Sequence, residues 1–235
     1  MQFRDHRVVG DILELAQIYC QAGADELVFY DISASPDNRT VDRNWVSQVA
    51  ALLDIPFCVA GGIRSVAAAE DILRRGADKI SINTPALENL ALISDLAKRF
   101  GSQCVVLGVD SRCVDNTWQV YLNTGDTKRI SEASRKTEEW IVEAQKLGAG
   151  EIVLNCMNSD GVRNGYDIDQ LASIREKCTV PLVASGGAGN MQDFVDVFKQ
   201  TDVSAALAAS VFHSGDIAIP DLKAFLNRSG IEVRL

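Results

Sequence analysis

Two stretches of this chain, Phe57-Cys-Val-Ala-Gly-Gly-Ile63 and Leu182-Val-Ala-Ser-Gly-Gly-Ala188, share one design: a short apolar run that follows a proline and ends in Gly-Gly. The two glycine pairs stand 125 residues apart, and Glu26-Leu-Val-Phe29 and Glu151-Ile-Val-Leu154 repeat that spacing. Ala77-Asp-Lys-Ile-Ser-Ile-Asn83 and Val203-Ser-Ala-Ala-Leu-Ala-Ala209 repeat it closely. Three matches in one order at one spacing mark an internal duplication. The period is too long for a solenoid unit and suits half of a barrel.

Between these landmarks, apolar strand-like runs alternate with helical periodicity. Helices are expected over 11–21, 42–53, 66–75, 85–100, 134–147, 167–177, 191–199 and 217–227. Strands are expected over 26–32, 57–60, 79–83, 104–109, 152–156, 182–185 and 205–208, with an inserted hairpin over 111–126 that has Trp118–Leu122 as one arm. The strands are apolar on both faces, as parallel strands covered by helices must be. Strict alternation implies βαβ units in one domain spanning 1–235. The strand at 104–109 should have a mate 125 residues earlier, ahead of Met1. The chain therefore reads as an α/β fold, a (β/α)8 TIM barrel built from two half-barrel repeats, with its first strand absent.

In such a barrel the active site lies at the C-terminal ends of the strands. Asp31, Gly61-Gly62, Asn83-Thr84, Asp110, Asn155, Asp160-Gly161, Ser185-Gly186-Gly187 and Ala209-Ser210 hold those positions. Gly-Gly between strand and helix lets backbone N–H groups approach an oxyanion closely. Gly62 with Asn83 and Thr84 in one half, and Gly186 and Gly187 with Ala209 and Ser210 in the other, then form two phosphate sites facing each other across the mouth. A substrate with a phosphate at each end fits that symmetry; a bare strand–helix turn is the plainer alternative. Asp110 ends the central apolar strand, where a carboxylate serves as general acid or base, or else caps the next loop. Asp160 precedes Gly161 and suits a turn equally well. Glu26, Lys79 and Glu151 start strands and so mark the opposite rim of the barrel, as solvated charges on residue type alone.

The net charge of −9 argues against nucleic acid or an anionic membrane as partner. No apolar run reaches membrane-spanning length, and the start resembles no signal peptide. The six cysteines show no zinc or CxxC spacing, so reduced cysteines in a cytoplasmic protein are expected. His6 and His213 have no partners at metal spacing, and no cofactor or metal motif is present.

The stretches Asp25–Ser35, Cys58–Ile63, Gly76–Asn83, Gly148–Ile152, Asp160–Tyr166, Ala184–Gly189 and Ala205–His213 resemble the cyclase subunit of imidazole glycerol phosphate synthase, of histidine biosynthesis. The related isomerase of the pathway shares the half-barrel repeat, but Phe29–Ser35 and Ala208–His213 favour the cyclase. The resemblance implies a lyase that takes ammonia from a glutaminase partner in a heterodimer. It implies a substrate of formimino-aminoimidazole-carboxamide type carrying two phosphates, cleaved to imidazole glycerol phosphate and aminoimidazole carboxamide ribonucleotide. By resemblance Asp110 is one of two catalytic aspartates. Gly62, Asn83 and Thr84 serve one phosphate, and Asp160, Gly161, Gly187, Ala209 and Ser210 the other. Glu26, Lys79 and Glu151 form an ammonia gate, and Asp78 contacts the glutaminase. The family's amino-terminal strand, with its other aspartate, has no counterpart ahead of Gln2-Phe3. A shortened bisphosphate-binding barrel without chemistry, or a sugar-phosphate isomerase, are the competing readings.

Overall fold

In the computed structural model, residues 8–31, 44–126 and 128–234 are described. Among the described residues, seven parallel strands pair in the order β1 (Leu27–Tyr30), β2 (Phe57–Ala60), β3 (Lys79–Ile82), β4 (Val105–Val114), β7 (Glu151–Cys156), β8 (Leu182–Ser185) and β9 (Ala205–Leu207). Two further strands, β5 (Thr117–Leu122) and β6 (Ser131–Lys136), extend β4 in antiparallel fashion. Helices α1 (Ile12–Gln21), α2 (Asn44–Ala50), α3 (Val66–Arg74), α4 (Thr84–Glu88), α5 (Ala91–Phe100), α6 (Thr137–Leu147), α7 (Ile168–Arg175), α8 (Met191–Thr201), α9 (Ser210–His213) and α10 (Ile219–Arg228) occupy the connections. This is the parallel β/α architecture of a TIM barrel assembled from half-barrel units. The strand expected to be absent falls ahead of Met1, so the described residues do not bear on it; residues 1–7, Ile32 and Asp42 lie outside the described set.

Local chemistry sets the ends of these helices. The Asp11 carboxylate accepts from the N–H groups of Leu13 and Glu14 and starts α1. Asn190 and Asp193 form a reciprocal capping box at α8.

Four expectations need correction. The helix expected over 85–100 is two helices, because Asn89 is extended (φ −143°, ψ 94°) and breaks it between Glu88 and Ala91. The helix expected from Ser134 begins at Thr137, because Ser131–Lys136 pairs with β5 instead. The hairpin is therefore a three-stranded extension in which β4 itself runs on to Val114. Cys104 lies in a 3₁₀ turn, Ser102–Cys104, and the strand starts after it.

The period of two along each strand sorts side chains into two cores. Phe57, Val59, Ile80, Ile82, Leu107, Ile152 and Leu154 face the helices in one large cluster. Cys58, Val106 and Val153 form a second cluster with Val28, Val183 and Leu207, with no helical residue in it. These residues line the barrel lumen. The same alternation places Glu26, Lys79 and Glu151 below that apolar layer, and Tyr30, Asn83, Asp110, Asn155 and Ser185 above it.

The first and last units meet at a seam. The Tyr19 hydroxyl lies 2.6 Å from His213 Nδ1, joining α1 to α9. Lys223 Nζ donates to Asp25 Oδ1 at 2.8 Å and to the Arg234 carbonyl at 2.6 Å, and Arg234 Nη2 donates to the Ala24 carbonyl at 3.2 Å.

Candidate functional site

Asp110 stands where β4 leaves the barrel, with β7 on one side and β5 on the other. Three side chains donate to its carboxylate. Asn83 Nδ2 and Thr124 Oγ1 reach Oδ2 at 2.8 and 2.5 Å, and Asn155 Nδ2 reaches Oδ1 at 2.8 Å. Burial pushes the Asp110 pKa above its ordinary value, against the three donors, which favour the ionised form. A carboxylate so placed holds a proton more readily than a free one, while its donors hold its orientation. Asp160 lies close enough to feel its charge: burial first, then Asp110, raises the pKa of Asp160. The site thus brings together two carboxylates, each with its pKa raised by burial.

The two glycine loops flank Asp110 as the repeat predicts. In the first half, Gly62 has φ 60°, and Asn83 and Thr84 open the short helix α4 after β3. Asn83 Oδ1 is buried without a hydrogen-bond partner among the described residues, at the mouth of the barrel. The Thr84 hydroxyl accepts from the N–H of Asn123 at 3.0 Å. In the second half, Ala209 caps α9, which starts at Ser210 and follows β9 just as α4 follows β3. At Gly187 φ is +119°, and a Cβ would lie 2.1 Å from the Gly165 carbonyl oxygen, so this loop closes only around a glycine. A Cβ on Gly186 would press on Asn155 Oδ1 at 2.8 Å. Gly165 N–H in turn donates to the Gly187 carbonyl at 2.9 Å, fastening the loop that holds Asp160 and Gly161 to the glycine turn.

At the opposite end of the lumen Lys79 Nζ donates to Glu26 Oε2 and Glu151 Oε2, each at 2.7 Å. Burial works against the ammonium, but the bonds to Glu151 and Glu26 outweigh it and leave the Lys79 pKa raised. Burial lifts the Glu26 pKa despite Lys79. The three residues expected at the rim thus form one partly buried cluster across the floor. Asp78 stands beside it, and its carboxylate accepts from the Phe57 N–H at 2.9 Å, bracing the start of β2.

Two contributors escaped sequence reasoning. Thr124 sits in the loop after β5, where no pattern marks it as a donor to Asp110. Arg163, in the loop after β7, donates to Asp216 Oδ2 at 2.6 Å and to the Ser210 carbonyl at 3.2 Å, tying that loop to α9. Asn155 was legible as a strand end but not as a partner of Asp110. Thr124→Val keeps the shape and removes one donor. The Asp110 carboxyl titration, followed by ¹³C NMR, is expected to move up by about one pH unit, the worth of a hydrogen bond to a charged group. An unmoved titration would show that this contact does not act on the carboxylate.

The histidine biosynthesis protein family model matches residues 1–218. The imidazole glycerol phosphate synthase subunit HisF of Xylella fastidiosa (strain 9a5c) is 64% identical over 235 residues, covering 100% of this chain and 91% of the relative. The subunit of the same name from Xanthomonas campestris pv. campestris (strain B100) is 61% identical with the same coverage. That of Pseudoalteromonas translucida is 60% identical over 237 residues, covering 100% of this chain and 92% of the relative.

Proposed function

This chain belongs to the histidine biosynthesis protein family, as an imidazole glycerol phosphate synthase cyclase subunit and so a lyase, and from that premise we propose how its residues divide the work. Asp110 is the proton-transfer group of ring closure. Gly62, Asn83 and Thr84 bind one phosphate of the substrate; Asp160, Gly161, Gly186, Gly187, Ala209 and Ser210 bind the other end. The substrate is the bisphosphate of formimino-aminoimidazole-carboxamide type, and the products are imidazole glycerol phosphate and aminoimidazole carboxamide ribonucleotide. The observation that carries this reading is the position of Asp110: a buried carboxylate, held by three donors, midway between two glycine loops related by the repeat. Anchoring both ends of one molecule fixes its centre at the carboxylate, which is where positioning contributes most to rate. The test is ammonium-dependent turnover of that bisphosphate. Turnover independent of ammonium would favour an isomerase, and binding without turnover a barrel that has lost its chemistry.

The relatives' name describes one subunit of a synthase. We take the partner to be a glutaminase docked at the floor of the barrel in a cytoplasmic heterodimer. No helix among the described residues is long and apolar enough to cross a membrane. Ammonia then enters past Glu26, Lys79 and Glu151 and crosses the lumen to Asp110, and Asp78 lies on the docking rim. Lys79→Ala is expected to lower glutamine-driven turnover about tenfold while ammonium-driven turnover changes little. It leaves Glu26 and Glu151 facing each other, so the folded state takes up protons more readily than the unfolded chain. Stability of this variant therefore falls as pH rises, and it should melt lower at pH 7 than at pH 5. Equal glutamine-driven rates in variant and parent would exclude the gate.

A further inference from the structure

Behind Asp110, on the helix side of β4, lies a polar cluster that the reading above leaves unused. Ser111, Thr137 and Gln170 are 0%, 0% and 1% exposed. The Ser111 and Thr137 hydroxyls lie 2.7 Å apart in a hydrogen bond, and Gln170 Nε2 donates to Ser111 Oγ. Buried polar groups add little net stability, since each gives up water to bond. Alanine, valine and methionine would fill the same space without that cost. What a directional network adds is geometry: it closes in one arrangement of its elements only.

The elements it joins are those of the site. The Ser111 carbonyl accepts from the N–H of Met157, the residue at which β7 gives way to the loop bearing Asp160 and Gly161. Ser111 is paired with Cys156 of β7 and Val120 of β5, at the level where β4 leaves one neighbour for the other. Thr137 is the first residue of α6, directly after β6, and Gln170 lies in the first turn of α7, just after the Asp160 loop. One side chain on β4 thereby holds the hairpin exit, the loop and α7 together, and its chain neighbour is Asp110, pointing the other way into the lumen. We propose that Ser111, Thr137 and Gln170 are positioning residues that hold Asp110 in register with the phosphate-binding loop after β7. This deepens the cyclase reading and rests on it.

The test is the all-apolar variant Ser111→Ala/Thr137→Val/Gln170→Met, which removes every member together and so leaves no orphaned polar group. Its melting temperature is expected within a few degrees of the parent. With ammonium as nitrogen source, kcat is expected to fall about tenfold while KM changes less than about twofold, as for a slight misplacement of a reacting group. The Asp110 carboxyl titration is read in parallel by ¹³C NMR. Asp160 and Tyr30, the other titratable groups that face Asp110, are untouched by the substitutions. An upward shift, from weakened donation by Thr124 or Asn155, supports the inference. Parental kcat together with a parental Asp110 titration overturns it. Should the triple variant unfold, Gln170→Met alone, which keeps the Ser111–Thr137 bond, decides by the same two readouts. A parent that folds but turns nothing over refutes the cyclase reading, and the Asp110 titration still decides the network.

Discussion

Asp110→Asn is expected to lower ammonium-driven turnover by about 10²–10⁴-fold, the usual contribution of a positioned proton-transfer group. Substrate affinity should stay near that of the parent, because the phosphate loops are untouched. The fold should survive as well, and the sign can be worked out. Burial raises the Asp110 pKa above its ordinary 3.8, so the folded chain holds this proton more tightly than the unfolded chain does. Stability from this group is therefore fully present below pH 3.8 and is lost as pH rises through the raised folded value. At neutral pH the ionised carboxylate costs stability, and asparagine removes that cost while giving up one acceptor for Asn83, Thr124 or Asn155. The two effects oppose each other, and the melting temperature should stay within a few degrees of the parent. Full activity in this variant would remove Asp110 from the chemistry. Lost activity with an early melt would instead make it a structural residue.

Gly187→Ala is the second large effect. The new methyl meets the Gly165 carbonyl oxygen at 2.1 Å in a backbone with φ +119°, so the loop must open. Left-handed strain alone costs roughly 1–2 kcal/mol, and displacement of the loop adds to it. A loss of that size lowers the melting temperature of a chain this long by several degrees. Since the same loop carries the proposed second phosphate site, KM for the bisphosphate should rise by about two orders of magnitude, the loss of a few charge-assisted hydrogen bonds. Gly23→Ala is the control: it has a similar backbone (φ +84°) with nothing within 4 Å of the new methyl, and it lies before β1 at the barrel floor. It should lose stability but keep the parental KM. Equal KM values for the two variants would separate Gly187 from substrate binding.

The barrel was legible because parallel strands covered on both faces are continuous apolar runs, and the repeat placed them in order. Asp110, the glycine pairs and the strand ends at Asn83 and Ala209 followed from the rule that such barrels work at one end of their strands. β6 was not legible. Ser131-Glu-Ala-Ser-Arg-Lys136 has almost no apolar content, is largely exposed, and becomes a strand only because β5 offers it a ladder. The break at Asn89 was hidden for a related reason: Leu87 and Leu90 continue the helical apolar pattern through the interruption. Thr124, Arg163 and the Ser111–Thr137–Gln170 cluster depend on contacts between residues far apart in the chain. Nothing in their neighbourhoods distinguishes them from ordinary loop and helix polar residues. The charged floor was visible as three strand-start charges, but their convergence on one ammonium depends on how β1, β3 and β7 curve round the lumen.

The seam between α1 and the last two helices has a kinetic meaning. Asp25 and Lys223 are 198 residues apart, and Tyr19 and His213 are 194 apart. Neighbouring strands such as β2 and β3 pair across only about one-tenth of that distance, Cys58 with Lys79. Each doubling of a closing loop adds roughly 0.6 kcal/mol of entropy cost, about 2 kcal/mol for the seam relative to a single β/α step. Local pairings are thus expected to form first along the folding route, and the seam contacts last. Opening runs the other way. The Tyr19–His213 and Asp25–Lys223 contacts are expected to loosen first, and the ladder between β4 and β7 late. Amide exchange is expected to be slowest around Asp110, the carboxylate proposed to react.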